Sequence, residues 1–368
     1  MKSRQWLAMA AASVLAIGVA ACGSSNNNSS GSGGGGGSSS GTADGAGSTF
    51  AAPIYQQWGS SLKGKGATIN YQPVGSGAGI AQLTSGTVAF AGSDPPMKPE
   101  EIAAAKKKGD PVHIPVAFGA ITVSYNVSGL KAGLKLDGAT VADIFLGKIK
   151  KWNDPAIAKL NPGLSLPSSN ITVIHRSDES GTTKGFTTFL VNYSKEWSSK
   201  VGSDKTVKWP TGTGAKGNDG VAAAIKQTAG SIGYVEQAYA LQNNFTTADV
   251  KNKSGKFVAP SLQSTTAAGE GVKVPSNLEF TIIDSPNPAA YPIASQTFVI
   301  VYQDDCKAGV LKKGDAPALG TFLNYAVNQG QSVLGQLQYA KLPSAIQTKA
   351  QTAVKGLKCN GSPLGGSS

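Results

Sequence analysis

The stretch "HRSDESGTTKGF", residues 175–186, gathers side chains that could bind a charged group. Of the 33 lysines and arginines in the chain, only Arg4 and Arg176 are arginines. A guanidinium is a planar fork of donors that stays charged when buried and fits the edge of an oxyanion. Asp178, two residues on, is placed to hold that fork. Ser180-Gly181-Thr182-Thr183 then reads as the start of a helix whose apolar face carries Phe186, Phe189 and Leu190. A helix start presents unpaired backbone N–H groups and the positive end of the helix dipole. Glycine lets a ligand approach that backbone, and the hydroxyls add donors.

Two other turns have the same make-up. "GAGSTFAAPIYQQW" opens a helix whose apolar residues Phe50, Ile54, Trp58 and Leu62 recur every four positions, with Pro53 in its first turn. "GSGAG" at 75–79 opens another after a strand, with Ile80 and Leu83 beginning its apolar face. Each turn alone is ordinary helix capping. Three of them together with one arginine predict an anion site. Asp94, in "GSDPP", reads locally as the cap of the helix that follows its two prolines.

The elements that must position these residues alternate along the chain. Strand patterns fall at 67–74, 87–93, 113–127, 171–175, 280–284 and 297–303, with helical patterns among them, which predicts a parallel or mixed α/β architecture. Ahead of them, "MKSR" and a short apolar run ending in Val19-Ala20-Ala21-Cys22 read as an export signal, residues 1–21. The run ends like a lipobox, which makes Cys22 the lipidated first residue of the mature chain. Residues 22–44, almost all Gly, Ser and Asn, read as a disordered tether with a root-mean-square reach of roughly 25 Å.

A net charge of +12 admits anionic partners. The lysines are scattered, with no aromatic-interleaved basic stripe, which argues against nucleic acid. Cys306 and Cys359, exported together, can form one disulfide closing off the C-terminal segment. Two cysteines and the distant His113 and His175 make no metal site. Without a histidine cluster, G-x-S-x-G or P-loop, the chain offers little to an enzyme or a nucleotide. His175 is read as structural, or at most pH-modulating.

The stretches "GAGSTFAAPIYQQW", "GSGAGIAQLTSGTVAFAGSDPPM", "LGKIKKWNDPAIAKLNPG", "RSDESGTTKGFTTFL", "GTGAKGNDGVAAAI" and "GSIGYVEQAYA" resemble the phosphate-binding proteins of bacterial high-affinity phosphate ABC transporters. The resemblance runs from about Gly45 and is weakest at 241–290 and near the C-terminus. It implies the two-lobed periplasmic-binding-protein fold (type II-like), α/β, with mixed sheets flanked by helices and the ligand in the interlobe cleft. Lobe 1 would comprise 45–117 and 291–368, with a disordered tail near 361–368, and lobe 2 would be 118–290. The resemblance assigns phosphate contacts to Thr49, Phe50, Ser76, Asp94, Arg176, Ser180, Gly181 and Thr182, with Asp178 orienting Arg176. Asp94 becomes the acceptor for a proton on phosphate, which sulfate lacks, while Ser48 is a small residue that leaves the site undisturbed. The implied protein is a monomeric, non-enzymatic receptor, without a cofactor, lipid-anchored outside the cell membrane in a periplasm or on the outer surface. It would deliver inorganic phosphate to the permease and ATPase subunits of the transporter. The alternatives are a receptor for another tetrahedral oxyanion and an enzyme acting on phosphate esters.

Overall fold

The computed structural model describes residues 41–130 and 133–365. The signal segment, Cys22 and the tether up to residue 40 lie outside the described residues, as do 366–368. Strand β1 (Gly41–Gly47) already begins inside the stretch read as tether, so residues 41–44 are sheet. Small residues there are no sign of disorder: Ala43, Ala46 and the glycines let the strand pack tightly against its neighbours.

The main sheet has its strands in the order β2 (Ala67–Pro73), β1, β3 (Phe90–Ser93), β8 (Ala294–Tyr302), β4 (Pro111–Asn126), β7 (Ser231–Glu236), β5 (Thr172–Arg176), β6 (Thr213–Ala215). β1 runs parallel to β2 and β3, and β5 runs parallel to β6 and β7. The central strands β8 and β4 are antiparallel to their neighbours. Mixed pairing was expected from the alternating pattern, and the α/β class holds. Residues 280–284, expected as a strand, form none. Phe280 and Ile282 are buried there, and the Ile282 N–H donates to the Gln296 side chain at 3.0 Å instead of to a ladder.

β4 is the axis of the molecule. Its sixteen residues are buried from His113 to Tyr125, as expected of a strand covered on both faces. Residues 111–120 pair with β8, and residues 121–126 pair with β7. Pro115 sits mid-strand, where a missing N–H would break a ladder. The register slips between Thr297 and Phe298 of β8, whose partners on β4 are Ala117 and Pro115, so a bulge accommodates the proline. Gln331 donates to the carbonyl of Val116, the residue skipped there, at 2.8 Å.

Helices cover the sheet. Those nearest the site are α1 (Ala52–Leu62), α2 (Ser76–Ser85), α3 (Pro99–Ala105), α4 (Gly181–Tyr193), α5 (Gly217–Gln227) and α6 (Gln237–Gln242). α1 starts two residues after Phe50, and Phe50, Ile54, Trp58 and Leu62 are all buried. At the C-terminus Cys306 and Cys359 are bonded, S–S 2.07 Å. Residues 362–363, read as part of a disordered tail, pair with 358–359 in a short ladder, and Leu364 is buried. The bond beside it pins this polar segment, which its composition alone does not reveal.

Candidate functional site

Three helix starts and two strand ends converge. The turn after β1 delivers Thr49, α2 opens with Ser76, and Asp94 directly follows β3. From the other half of the sheet, β5 ends in Arg176 and α4 starts at Gly181 behind its cap, Ser180. Thr49, Ser76, Asp94, Arg176, Ser180 and Thr182 are each at most 3% exposed. The two halves meet tightly: a Cβ on Gly181 would collide with Asp94 Oδ2 and Ser76 Oγ. Gly75, with φ of +96°, supplies a conformation that other residues rarely adopt just where α2 begins.

The Arg176 fork is set as its spacing from Asp178 suggested. Nε and Nη2 donate to Asp178 Oδ1 and Oδ2 at 2.7 and 2.6 Å. The Arg176 side chain is 1% exposed, so this is no surface pair. Its paired guanidinium, with the Gly217 N–H, holds Asp178 below the usual carboxylate range although burial opposes it. Nη1 is left for Thr182 Oγ1, at a long 3.4 Å. His175 stacks on Trp209 with ring centroids 4.6 Å apart, and its Nδ1–H donates to the Arg176 carbonyl, which props the strand end.

Asp94 does not cap the helix after its prolines. That helix, α3, starts at Pro99 behind Lys98. Asp94 Oδ1 instead accepts from Ser48 Oγ at 2.6 Å and from Thr297 Oγ1 at 2.9 Å, while Oδ2 lies 3.5 Å from Ser76 Oγ and faces the start of α4. Burial pushes the Asp94 carboxyl up to about 6, opposed by those hydroxyls and by Arg176. Ser48 is therefore not a bystander, and Thr297 was invisible to sequence reasoning because it comes from a strand 203 residues away.

The hydroxyl protons are aimed by whatever fills the hydroxyl lone pairs. Asn218, fully buried in the first turn of α5, donates to Thr49 Oγ1 at 2.8 Å from its side chain and at 3.1 Å from its backbone. Its Nδ2 also donates to Thr182 Oγ1 at 3.1 Å. The Glu236 N–H can only donate, and it faces Asn218 Oδ1 at 3.0 Å, which fixes the amide orientation. With their acceptor positions taken, Thr49 and Thr182 can turn their O–H bonds outward. Ser180 follows the same rule, because its Oγ accepts from the Thr183 N–H at 3.0 Å. The site thus offers a guanidinium, hydroxyl protons and the N–H groups opening α4, against one fixed carboxylate oxygen. A small oxyanion that still carries a proton satisfies both sets.

A family model described as a PBP superfamily domain matches residues 32–329. The chain is 42% identical over 318 residues to the phosphate-binding protein PstS of Pasteurella multocida, covering 85% of this chain and 90% of that one. It is 37% identical to phosphate-binding protein PstS 3 of Mycobacterium leprae, covering 79% and 80% of the two chains. The chain belongs to the PstS family. Among solved structures, the periplasmic phosphate-binding protein PfluDING, bound with phosphate, superposes with a TM-score of 0.68 at 20% identity, covering 86% of this chain and 99% of that one. The phosphate-binding protein of Stenotrophomonas maltophilia gives 0.66, covering 84% and 93%. The PstS family membership accounts for the fold class, the two-lobed periplasmic-binding-protein type with helices around a mixed sheet.

The PstS motifs carry most of the donors, and one of them contains Asn218 ("GAKGNDG") without marking it. The signal available was Asn at a Gly-flanked helix start, which is also what a plain cap looks like. Among the described residues no group of His, Cys, Asp and Glu could hold a metal ion, and no helix is long and apolar enough to cross a membrane.

Proposed function

We propose that this PstS-family chain captures inorganic phosphate outside the cell membrane and hands it to the permease of an ABC transporter, which ATP hydrolysis drives. Thr49, Phe50, Ser76, Asp94, Arg176, Ser180, Gly181 and Thr182 form the phosphate shell, and Asp178 steadies Arg176. Cys22 carries the lipid anchor, and the tether behind it lets the receptor move over the membrane surface. Lobe 1 is the half of the sheet around β1–β3 and β8, lobe 2 is the half around β5–β7, and phosphate lies between them.

One observation carries the reading: a buried carboxylate, Asp94, is fixed among donors with Oδ2 facing the start of α4. Phosphate at neutral pH carries a proton to donate to it. Sulfate carries none and would bring like charge against an unanswered acceptor in a desolvated place.

Calorimetric titration of ligand-stripped protein with phosphate and then sulfate tests this. Tight one-to-one phosphate binding without sulfate heat is expected. Equal binding of both would leave an oxyanion receptor without selectivity, and binding of neither by folded protein would refute the reading. Turnover of a generic phosphate ester would move the chain to the enzymes.

A further inference from the structure

The phosphate shell leaves the buried acid Glu236 without a role. Glu236 ends β7, caps α6 and is fully buried. Its Oε2 accepts the Ala238 N–H at 2.7 Å and lies 2.8 Å from the Tyr339 hydroxyl. That same hydroxyl lies 2.6 Å from the carbonyl oxygen of Phe50.

We infer that Glu236 is a neutral carboxylic acid whose proton, given to Tyr339, lets that hydroxyl hold the Phe50–Ala51 peptide at the start of α1, beside the turn that carries Thr49. This rests on the phosphate reading above.

The inference follows from counting protons. A peptide carbonyl can only accept, and a tyrosine has one proton. Two short contacts at Tyr339 need two protons. If Tyr339 donates to Phe50, the second must come from Glu236. An ionised Glu236 would compete with the Phe50 carbonyl for a single proton and leave one buried acceptor short.

The other oxygen points the same way. Glu236 Oε1 has no hydrogen-bond partner among the described residues. A carboxylate would leave charge on that oxygen unanswered, whereas the acid leaves only a carbonyl.

The ionisable groups around it give it no cation of its own. Tyr339 faces it from the segment before Ala340, Tyr239 from α6 and Asp94 from the end of β3. Arg176 and Asp219 lie beyond, acting on Tyr239, and Arg176 is already held by Asp178. Burial, with the negative charge of Asp94 added, holds the Glu236 carboxyl well above the usual range against the Tyr339 hydroxyl and the Ala238 and Gln237 N–H groups.

The position gives this proton its consequence. Phe50 and Tyr339 belong to the half of the sheet around β1, and Glu236 to the half around β5. The Glu236 N–H also fixes Asn218, which orients Thr49 and Thr182. One residue therefore ties the two halves together directly behind the donors.

Infrared difference spectra of wild type minus variant, recorded on the full-length protein at neutral pH in the same phosphate concentration, test the proton directly. Wild type should show a protonated-carboxyl C=O band that disappears in Glu236→Gln and moves to higher frequency in Tyr339→Phe. Asp94 and the buried Asp305, whose carboxyls burial also pushes up, remain in every sample and cancel. Tyr339→Phe should also weaken phosphate binding about tenfold by loosening the turn that carries Thr49 into the site. Loss of a carboxylate band in Glu236→Gln would overturn the inference, as would an acid band that Tyr339→Phe leaves unmoved. If Glu236→Gln does not fold, the Tyr339→Phe spectrum decides alone. Phosphate titration of wild type runs alongside: no binding there refutes the receptor reading, while the spectra still decide whether Glu236 carries the proton.

Discussion

At the scale of single residues, orientation matters as much as identity. Asn218 fills the acceptor positions of two threonines. Asn218→Ala should weaken phosphate binding by roughly ten- to a hundredfold, read by calorimetry, because both hydroxyls lose the partner that aims them. Asp94 makes a pH-dependent prediction. Its carboxyl is raised by burial from 3.8 to about 6, so between those values the folded protein holds a proton that the unfolded chain has released. Ligand-free stability should therefore fall as pH rises through that window, by up to a few kcal/mol, and Asp94→Asn should flatten the fall in denaturant titrations. The same variant should weaken phosphate and admit sulfate, since an amide does not repel it. The sequence displayed the donors openly: Arg176, Asp178 and the hydroxyl turns were legible because helix starts and their ligands share a short stretch. Thr297, Tyr339 and Glu236 were not, because their roles exist only once distant strands are paired.

At the scale of elements, the site depends on how closely two helix starts approach. Gly181 opens α4 against Asp94 and Ser76 with no room for a methyl group. Gly181→Ala should abolish measurable phosphate binding while the melting temperature changes little, because the clash lies at the meeting of the two halves and not in either core. The bulge at Pro115 shows a similar economy. Its extra residue, Val116, lies on β4 opposite the step from Thr297 to Phe298, and the Thr297 hydroxyl reaches Asp94. Alternation of strand and helix revealed the fold class, since hydrophobic period is local. It misread 280–284, where apolar residues are buried by loop packing without a ladder, and residues 41–44, where a glycine- and alanine-rich strand looks like linker. Periodicity reports burial, and burial does not require a strand.

At the scale of the whole molecule, two crossed ion pairs span the halves away from the ligand. Lys98 meets Asp204 at 2.5 Å near the surface, and Lys205, itself buried, meets the half-buried Glu101. Exposed pairs contribute little, whereas breaking a buried one leaves a charge uncompensated. Lys98→Ala should leave phosphate release nearly unchanged. Glu101→Gln should speed it about tenfold in stopped-flow measurements, as the buried Lys205 loses its partner. Further off, Cys306–Cys359 fastens the C-terminal segment. Replacing both cysteines with serine should cost roughly 4 kcal/mol on the chain-entropy view, read by denaturant unfolding, with phosphate affinity preserved.

The place of β8 in the sheet has a consequence for how the protein comes into being. Strands β3 and β4 are close in sequence, but they never touch as a ladder: β8, almost two hundred residues later, is wedged between them. A chain made from its N-terminus can assemble β4 (from residue 121), β5, β6 and β7 as soon as residue 236 is free to fold. The half bearing Thr49, Ser76 and Asp94 must wait, with two strand edges bare, until residues 294–302 arrive and are inserted. Arg176 and the start of α4 can thus be in place early, and the Asp94 carboxylate is fixed last, when Thr297 arrives on the closing strand.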